Sequence, residues 1–505
     1  MPAKSPVAGL AKVSLLAARA TILQNPSWDW KKLPTVTLAS LLLHAIVLGA
    51  CALIVLKNPQ LVEEIFTTVT DQEENAEPIV EQSMLQPEDL KETSQEDIVS
   101  QETTSNLQFE TKGPIDLNVS DGIPQIEADS SNLPGLADIK VGNETSGRMS
   151  AQAKKAMVVK FGGNTSSEAA VASGMKWLTN HQMADGSWSF EHSRHSDCKG
   201  QCSQDGSFTA CPTGATGLAL LAFLGGGHTH QKGDYQKQVK RAVDFLIKSG
   251  RPTETGLDLR GKITANEGMY VQGLCTIALC ECAAMTKDSR VRKAAEGAID
   301  FIVKAQNPKD GGWRYGPGDP GDTSVVGWQV MALKSGFNAK LKFSPQAFKG
   351  AEVYLKRAQA EGGSQYVYDP AVEKPAPTPT MTAVGLLCRM YLGWDHKNKK
   401  LADGVEYLDK IKPQPNNMYF NYYATQVMHH WGGEEWTRWN EVMRDQLVRT
   451  QHPLKDGHLS GSWDIADPHG GGGGRLYMTC LSVMTLEVYY RHLPMYSREN
   501  IKVEF

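Results

Sequence analysis

The sequence lacks an excess of positive charge and is close to neutral. Its 505 residues include 52 Lys and Arg against 56 Asp and Glu, which gives a formal net charge of −4. Domains that bind nucleic acid through its phosphates present a basic surface or stripe. The composition therefore excludes nucleic acid as a partner, and no segment identifies a protein partner.

Long apolar runs are also rare, and one of them is long enough to cross a membrane. Residues 35–56 carry no charge, contain only His44 as a strongly polar side chain, and reach roughly 33 Å as a helix. Five Lys or Arg precede this run, whereas Lys57 alone follows it before Lys91. The positive-inside rule then leaves residues 1–34 in the cytoplasm and places the chain after residue 57 outside the inner membrane. A cleaved signal peptide is the alternative, because "LGAC" at 48–51 has the form of a bacterial lipidation box.

The segment after the apolar run has few groups that can form a core. Between residues 61 and 110 there are fourteen Asp or Glu against one Lys, together with many Ser, Thr and Gln. Such a composition cannot bury enough apolar surface to offset the entropy of the chain. We therefore predict an acidic, disordered linker over residues 57–165.

From residue 166 onward, two kinds of helical segment alternate six times. Segments such as "AVDFLIKSG" and "AIDFIVKAQ" place bulky apolar residues on a charged background, as amphipathic surface helices do. Segments such as "TGATGLALLAFLG" lie between them and are apolar almost all round, which is typical of buried helices. Six such pairs predict an all-α fold over residues 166–505, an (α/α)6 toroid with six outer and six inner helices.

Three links between paired helices share a glutamine and a tryptophan. They are "HQMADGSW" at 181–188, "AQNPKDGGW" at 305–313, and a longer stretch that ends in "DGHLSGSW". The glutamine can bond the free end of a neighbouring helix, and the indole can pack beneath it. The pattern resembles the repeat of the squalene–hopene cyclase and prenyltransferase family over about residues 166–505. The repeat residues are Gln182, Trp188, Gln306, Trp313, Gln451 and Trp463.

The resemblance implies an active-site sequence at the start of an inner helix. Cyclases of this family have "DxDDTA" there, with a central aspartic acid that protonates the polyene, and this chain has "DPGDTS" at 319–324. Asp319 and Asp322 match the outer aspartates, but Gly321 occupies the proton-donor position and cannot donate a proton. From the residues alone, Asp322 also suits a helix N-cap and Asp319 a tight turn.

The sequence motifs of two other kinds of related toroid are absent from this chain. Protein prenyltransferases hold zinc with an Asp, a Cys and a His, and no Asp-x-Cys occurs on a predicted inner helix. The Gly-Cys-Gly-Glu-Gln sequence of thioester domains is also absent. The resemblance therefore predicts the architecture more closely than the activity.

Parallel inner helices would gather their N-terminal ends at one mouth of the toroid. Partial positive charge and free N–H groups at that mouth favour an anionic or hydroxyl-rich ligand, and aromatic rings there suit an isoprenoid or a glycan. The Gly-rich link "DPHGGGGGR" at 467–475 lacks the Gly-Lys-Ser/Thr ending of a phosphate loop, so we predict a flexible mouth loop. The predicted cavity residues are Tyr270, Trp328, Tyr422, Arg475 and Tyr477.

Eight of the nine cysteines divide into a core group and a polar group, and the ninth, Cys51, lies in the apolar run of residues 35–56. Five lie on predicted inner helices and suit the core, namely Cys275, Cys280, Cys282, Cys388 and Cys480. Cys198, Cys202 and Cys211 lie in a polar insertion that also contains His192 and His195. A disulfide, a zinc ion and free thiols all remain open there.

Two functions fit these features. The first is a non-catalytic, membrane-anchored protein that binds a small hydrophobic or hydroxyl-rich molecule in the toroid. The second is an active enzyme, of the terpene cyclase type or acting on polysaccharide, that uses Asp319 and Asp322 at the cavity mouth.

Overall fold

The computed structural model describes residues 145–262 and 267–496. The predicted membrane helix, its cytoplasmic flank and most of the linker lie outside these ranges. The described helices, in chain order, are α1 Ser146–Met149, α2 Ala151–Lys160, α3 Thr165–Asn180, α4 Pro212–Gly225, α5 Gln236–Ser249, α6 Gly268–Thr286, α7 Ser289–Ala305, α8 Thr323–Asn338, α9 Gln346–Arg357, α10 Pro379–Tyr391, α11 Lys399–Ile411, α12 Met418–Trp431, α13 Gly433–Thr450, α14 Gly474–Leu486 and α15 Val488–Arg491.

The even-numbered helices from α4 to α14 form the inner ring. Each packs on the next inner helix along the chain, and α14 packs back on α4, so the ring closes. Their composition explains the position, because α4 buries every residue from Thr213 to Gly225. A fully buried leucine side chain such as Leu220 contributes roughly 1.5–3 kcal/mol relative to an exposed one.

The odd-numbered helices from α3 to α13 lie outside this ring. Helix α5 shows the reason, because it buries only Val239, Ala242, Val243 and Leu246, which fall on one face at spacings of three and four. Each outer helix packs on an inner one, and the first outer helix, α3, packs on the last inner helix, α14. The fold is the predicted all-α (α/α)6 toroid.

The Gln–Trp links make the same two contacts in all three places. The Gln306 amide donates to the Gly311 carbonyl of its own link at 2.7 Å and to the Ala347 carbonyl in the next outer helix at 2.9 Å. The Trp313 indole donates to Ile302, in the last turn of α7, at 2.8 Å. Thus the tryptophan satisfies the free helix end, and the glutamine joins neighbouring repeats. The other contacts are Gln182 with Gly186 and Gln238, Trp188 with Leu178, Gln451 with Ala170 and Gly461, and Trp463 with Leu447.

The predicted linker is wrong in its last twenty residues, because α1 and α2 are helical there. Ser150 caps α2 by accepting a bond from Ala153, and α2 buries Met157 and Val158. In α1, the Arg148 guanidinium lies 3.0 Å from buried Glu281 of the inner ring. Apolar residues and one buried ion pair therefore order this stretch. The acidic segment upstream has a different composition, with few apolar residues.

Two short hairpins complete the described fold. Strand β1 Arg251–Thr253 pairs antiparallel with β2 Gly256–Asp258, and β3 Gln359–Ala360 pairs with β4 Gln365–Tyr366. Both hairpins follow outer helices, and β4 leads into the link that enters α10. The second hairpin thereby positions Tyr368 and Asp369, which immediately follow it.

Within the described residues, one helix is long and apolar enough to cross a membrane. This is α6, and 89% of its most apolar window is buried inside the protein. Its place in the inner ring accounts for its composition. The five cysteines predicted for the core are all fully buried, as expected, and they are Cys275, Cys280, Cys282, Cys388 and Cys480.

Candidate functional site

Asp319 and Asp322 occupy the link that leads into α8. Asp322 is the N-cap of α8, and its Oδ1 accepts a bond from the Val325 N–H at 2.9 Å. Asp319 closes a turn, because its Oδ2 accepts from the Gly316 N–H at 2.7 Å. The structural roles predicted for both aspartates are confirmed, and any chemical role must be compatible with them.

Gly321 has no room for a side chain. A Cβ atom built there would lie 2.7 Å from the Tyr354 ring and 2.8 Å from the Gly312 Cα. The Gly321 N–H also donates to Asp310 at 2.9 Å, which fixes the backbone. An aspartic acid could not occupy this position without moving the link, so the chain excludes the proton donor of the cyclases by packing as well as by identity.

Asp322 is a buried carboxyl with one oxygen left over. Its side chain is 0% exposed, and Oδ2 has no hydrogen-bond partner among the described residues. The nearest positive charge is Arg314, with Nε 3.9 Å from Oδ2. Burial raises the pKa of Asp322 to about 6, and this effect exceeds the opposing ones of the Val325 N–H and Arg314. The group is therefore partly protonated in the range just below neutral pH.

Four residues from two links surround Asp322, and together with it they form what we call the Asp322 patch: Arg314, Tyr315, Tyr368 and Asp369. The Arg314 guanidinium bonds Asp369 at 2.6 Å and lies 5.4 and 5.7 Å from the ring centres of Tyr315 and Tyr368. The two tyrosine hydroxyls are 2.7 Å apart. Burial tends to raise the pKa of Asp369, but the Ala371 N–H and Arg314 outweigh it and lower that pKa. The Tyr315, Tyr368 and Arg314 side chains are all partly exposed.

Three of the predicted cavity residues lie in one connected aromatic column inside the ring. The Tyr270 hydroxyl donates to Ser324 at 2.8 Å, Ser324 bonds Tyr419 at 2.7 Å, and the Trp328 indole donates to Tyr419 at 3.0 Å. Trp328 in turn stacks on Tyr422 with ring centres 5.8 Å apart. The column starts beside the Asp322 patch and runs toward the other end of the toroid.

Tyr477 lies half-buried at the start of α14. Burial raises the pKa of its hydroxyl, and the nearby charges of Asp467 and Tyr419 act in the same direction. Because Tyr477 lies in the first turn of an inner helix, it is at the end of the ring where the inner helices begin, although no hydrogen bond joins it to the column in the described structure.

Arg475 is placed elsewhere, in the junction between the insertion and the last repeat. It is 1% exposed, its Nη2 bonds Asp464 at 2.5 Å, and its Nε donates to the Ser203 carbonyl at 3.0 Å. The Gly-rich link is likewise held by the insertion, because Ser207 and Phe208 donate to its carbonyls at 3.0 Å. A Cβ on Gly206 would lie 2.4 Å from the Gly472 carbonyl oxygen, so the glycines permit close backbone packing. The link is thus part of a packed junction and does not stand free at the mouth.

A pocket lies at the opposite end of the ring, where the inner helices finish. Arg491 closes part of it by bonding Glu281 at 2.9 Å and the Leu221 carbonyl at 2.6 Å. His430 is buried there, and neither of its ring nitrogens has a hydrogen-bond partner among the described residues. Tyr422 also lines this pocket, so the aromatic column reaches it.

The three cysteines of the insertion lie at two different places in the structure. Cys198 and Cys202 lie beside buried His181 and partly exposed His458, and the four side chains bring their ligand atoms within 4.8 Å of one another. Cys211 lies apart, at the start of α4, and burial raises the pKa of its thiol to about 11. Burial also lowers the pKa of His181 to about 3. A group of two thiols and two imidazoles can hold a metal ion.

Several of these residues were not predicted. Arg314, Tyr315, Tyr368 and Asp369 fall in links without helical periodicity, and only the tertiary fold brings them together. His181 and His458 carried a weak signal. His181 precedes the motif glutamine where the other two links have Ala305 and Thr450, and His458 lies in the stretched link.

Comparisons with known proteins give structural similarity only. No known protein family and no curated protein sequence matches this chain. A GH76 α-mannanase from Bacteroides thetaiotaomicron has a TM-score of 0.47 and 11% identity, covering 66% of this chain and 98% of that one. An inactive variant of an α-1,6-mannanase from Salegentibacter sp. HEL1_6, in complex with α-1,6-mannotriose, gives 0.45 and 8%, covering 64% and 99%.

A type II terpene cyclase from Scytonema, in complex with merosterolic acid A, is similar at the same level. Its TM-score is 0.43 and its identity 12%, with 65% of this chain and 98% of that chain covered. Because all three TM-scores are below 0.5, these similarities carry no argument about what this chain binds or catalyses.

Proposed function

We propose that this protein is a membrane-anchored, extracytoplasmic binding protein whose toroid takes a hydroxyl-rich ligand of the carbohydrate class at the Asp322 patch. One observation carries the proposal. Asp322 Oδ2 is a buried carboxylate oxygen without a hydrogen-bond partner, and it lies beside partly exposed tyrosines and an arginine. A buried carboxylate oxygen without a partner lacks the hydrogen bonds that it would make in water, so a ligand hydroxyl that donates to it would be favoured.

The chemistry of the patch favours a sugar over an isoprenoid. A sugar supplies hydroxyl donors for the carboxylate oxygen and a C–H face for the rings of Tyr315 and Tyr368. An isoprenoid supplies neither, so it would leave the Asp322 Oδ2 atom without a hydrogen-bond partner. Arg314 donates one hydrogen bond to Asp369 at 2.6 Å, and its other N–H groups can donate to a ring oxygen or a hydroxyl of the sugar.

A second candidate is hydrolysis of a polysaccharide, which the pKa values of the two carboxyls favour. The pKa of Asp322 is raised to about 6, whereas that of Asp369 is lowered, and both groups face Arg314. Two carboxyls whose environments push their pKa values apart form an acid and a base. Asp319 closes its turn with Gly316, so the acid role would belong to Asp322.

The test is a binding titration of the full chain with gluco-, manno- and N-acetylglucosamine oligosaccharides, with tryptophan fluorescence as the signal. Tyr368→Ala should weaken binding at least about tenfold, as the loss of a stacking aromatic does. The matched control is Tyr407→Ala on outer helix α11, which should leave affinity unchanged. Absence of binding to every oligosaccharide, or an equal effect of both variants, would reject the proposal. Release of reducing ends by the wild type would favour the second candidate.

A further inference from the structure

The junction between the first and the last repeat contains a cluster that the Asp322 patch does not use. His181 belongs to the first Gln–Trp link, Cys198 and Cys202 to the insertion before α4, and His458 to a short 3-10 turn before α14. The cluster therefore joins segments that are 256 residues apart in the chain. Three of its four side chains are buried.

The distances within the cluster suit one ion. Cys202 Sγ is 3.5 Å from His181 Nε2 and 3.1 Å from His458 Nδ1. Ligands at zinc–nitrogen and zinc–sulfur distances around a tetrahedral ion lie roughly 3.3–3.8 Å from one another. The full set lies within 4.8 Å, so side-chain movements of about 1 Å would bring all four ligand atoms to these separations.

The surroundings already orient one ligand. His181 Nδ1 lies 2.8 Å from the Trp177 carbonyl, so this nitrogen carries the proton and donates. Nε2 is then left as the acceptor that faces Cys202. This arrangement, in which a carbonyl fixes the tautomer of a ligating histidine, is typical of zinc sites.

We infer that His181, Cys198, Cys202 and His458 bind one zinc ion, and that this ion closes the toroid by joining its first and last repeats. Two thiolates and two imidazoles are the donor set of structural zinc sites. Binding releases the two thiol protons and leaves a neutral centre of two negative ligands and one doubly charged cation. Cys211 takes no part.

The ion would add a cross-link to a ring whose first and last repeats are otherwise joined by packing and by hydrogen bonds such as that from Gln451 to Ala170. Helices α3 and α13 of the first and last repeats are neighbours, as are α4 and α14. A bond that joins distant parts of the chain restricts the unfolded state and holds the closing interface together. The insertion, packed on the Gly-rich link, brings Cys198 and Cys202 to this interface.

The test is elemental analysis of the full chain, purified without chelator. Wild type and Cys211→Ser should each carry one zinc per chain, whereas Cys202→Ser and His458→Asn should lose at least about nine-tenths of it. Replacing zinc with Co²⁺ in the wild type should give the visible absorption of tetrahedral cobalt with thiolate ligands. This second measurement does not depend on whether the variants fold.

Two results would overturn the inference. One is a wild-type protein that holds no zinc and gives no thiolate–cobalt absorption. The other is an intact mass and peptide map showing a Cys198–Cys202 disulfide in the protein as purified. Alkylation of these two cysteines that rises at least about tenfold after chelation, with no change at Cys211, would support it.

Discussion

At the scale of single residues, Asp322 combines two roles that act on its pKa in opposite directions. Its Oδ1 caps α8, a contact that favours the charged form, whereas its burial favours the neutral form. Burial prevails, and the pKa rises to about 6. A cap does not need an ionisable group, because Asn caps helices as well as Asp does. The cap alone does not explain why residue 322 is an aspartate, whereas the proposed contact between its carboxylate and the ligand does.

The first prediction separates the cap from the charge with Asp322→Asn. Because the folded pKa is above the ordinary value of 3.8, the wild-type fold binds more protons than the unfolded chain between about pH 4 and 6. Wild type should therefore lose stability relative to Asp322→Asn as pH rises through this window, by about 1–3 kcal/mol in total. Urea unfolding at pH 4 to 8 measures the difference.

The same variant should bind oligosaccharide at least about tenfold more weakly, since an amide nitrogen can replace the accepting oxygen. A stability difference that does not change with pH would show that Asp322 is not buried as a titrating acid. Full affinity in the variant would show that its carboxylate does not contact the ligand.

Single residues also show where sequence reasoning stops. The cap role of Asp322 follows from its place before Thr323, Ser324 and an apolar helix, which is local information. The neighbours Arg314 and Asp369 come from different links 55 residues apart, and no spacing rule joins them. The sequence shows that Gly321 replaces an acid, but the lack of room for a side chain beside Gly312 and Tyr354 depends on the tertiary fold.

At the scale of elements, the Gln–Trp links explain how the repeats are held together. Each indole N–H takes a carbonyl in the last turn of an outer helix, where intrahelical partners run out. Each glutamine amide then reaches the following outer helix, or, for Gln451, the first one. The sequence predicted that these residues act on helix ends, with the glutamine bonding the free end. In the structure the tryptophan makes that bond.

The second prediction concerns this element. Trp313→Phe keeps most of the buried ring but leaves the Ile302 carbonyl without its donor, so the free energy of unfolding should fall by about 1–3 kcal/mol. Trp431→Phe, at the partly exposed end of α12, should cost less than about 1 kcal/mol. Chemical denaturation of both variants gives the comparison. Equal losses would mean that the indole contributes by volume and not by its hydrogen bond.

The alternation of helix types was predictable because it follows from periodicity, whereas helices α1 and α2 and the packing of the insertion were not. Helices α1 and α2 are short and lie beyond an acidic stretch, so composition averaged over the linker conceals them. Their order depends on the ion pair between Arg148 and Glu281, a contact across more than a hundred residues. The insertion before α4 is irregular, and its packing on the Gly-rich link is also tertiary.

At the scale of the whole molecule, the ring has two different ends. The Asp322 patch lies where inner helices begin, and the pocket with His430 lies where they finish, partly closed by Arg491. Partial positive charge from helix N-termini adds to Arg314 at the first end, which suits a hydroxyl-rich or anionic ligand. A ligand bound at the Asp322 patch and a ligand bound in the His430 pocket would therefore contact different segments of the chain.

The third prediction is topological, because the proposed ligand class depends on the compartment. A reporter that is active only outside the cytoplasm, fused after Phe505, should be active, since the basic residues before residue 35 hold that end inside. A reporter active only in the cytoplasm should be silent at the same position. The opposite pattern would place the toroid in the cytoplasm and remove the membrane-anchored, extracytoplasmic part of the proposal.

Hydrogen–deuterium exchange of the full chain, with and without the oligosaccharide that binds best, tests the central claim most directly. If the ligand occupies the Asp322 patch, peptides covering residues 313–324 and 366–369 should exchange at least about threefold more slowly in its presence. Peptides from 145–149 and 488–496, at the opposite end, should not change. Protection confined to that opposite end, or no protection at the patch under saturating ligand, would contradict the account.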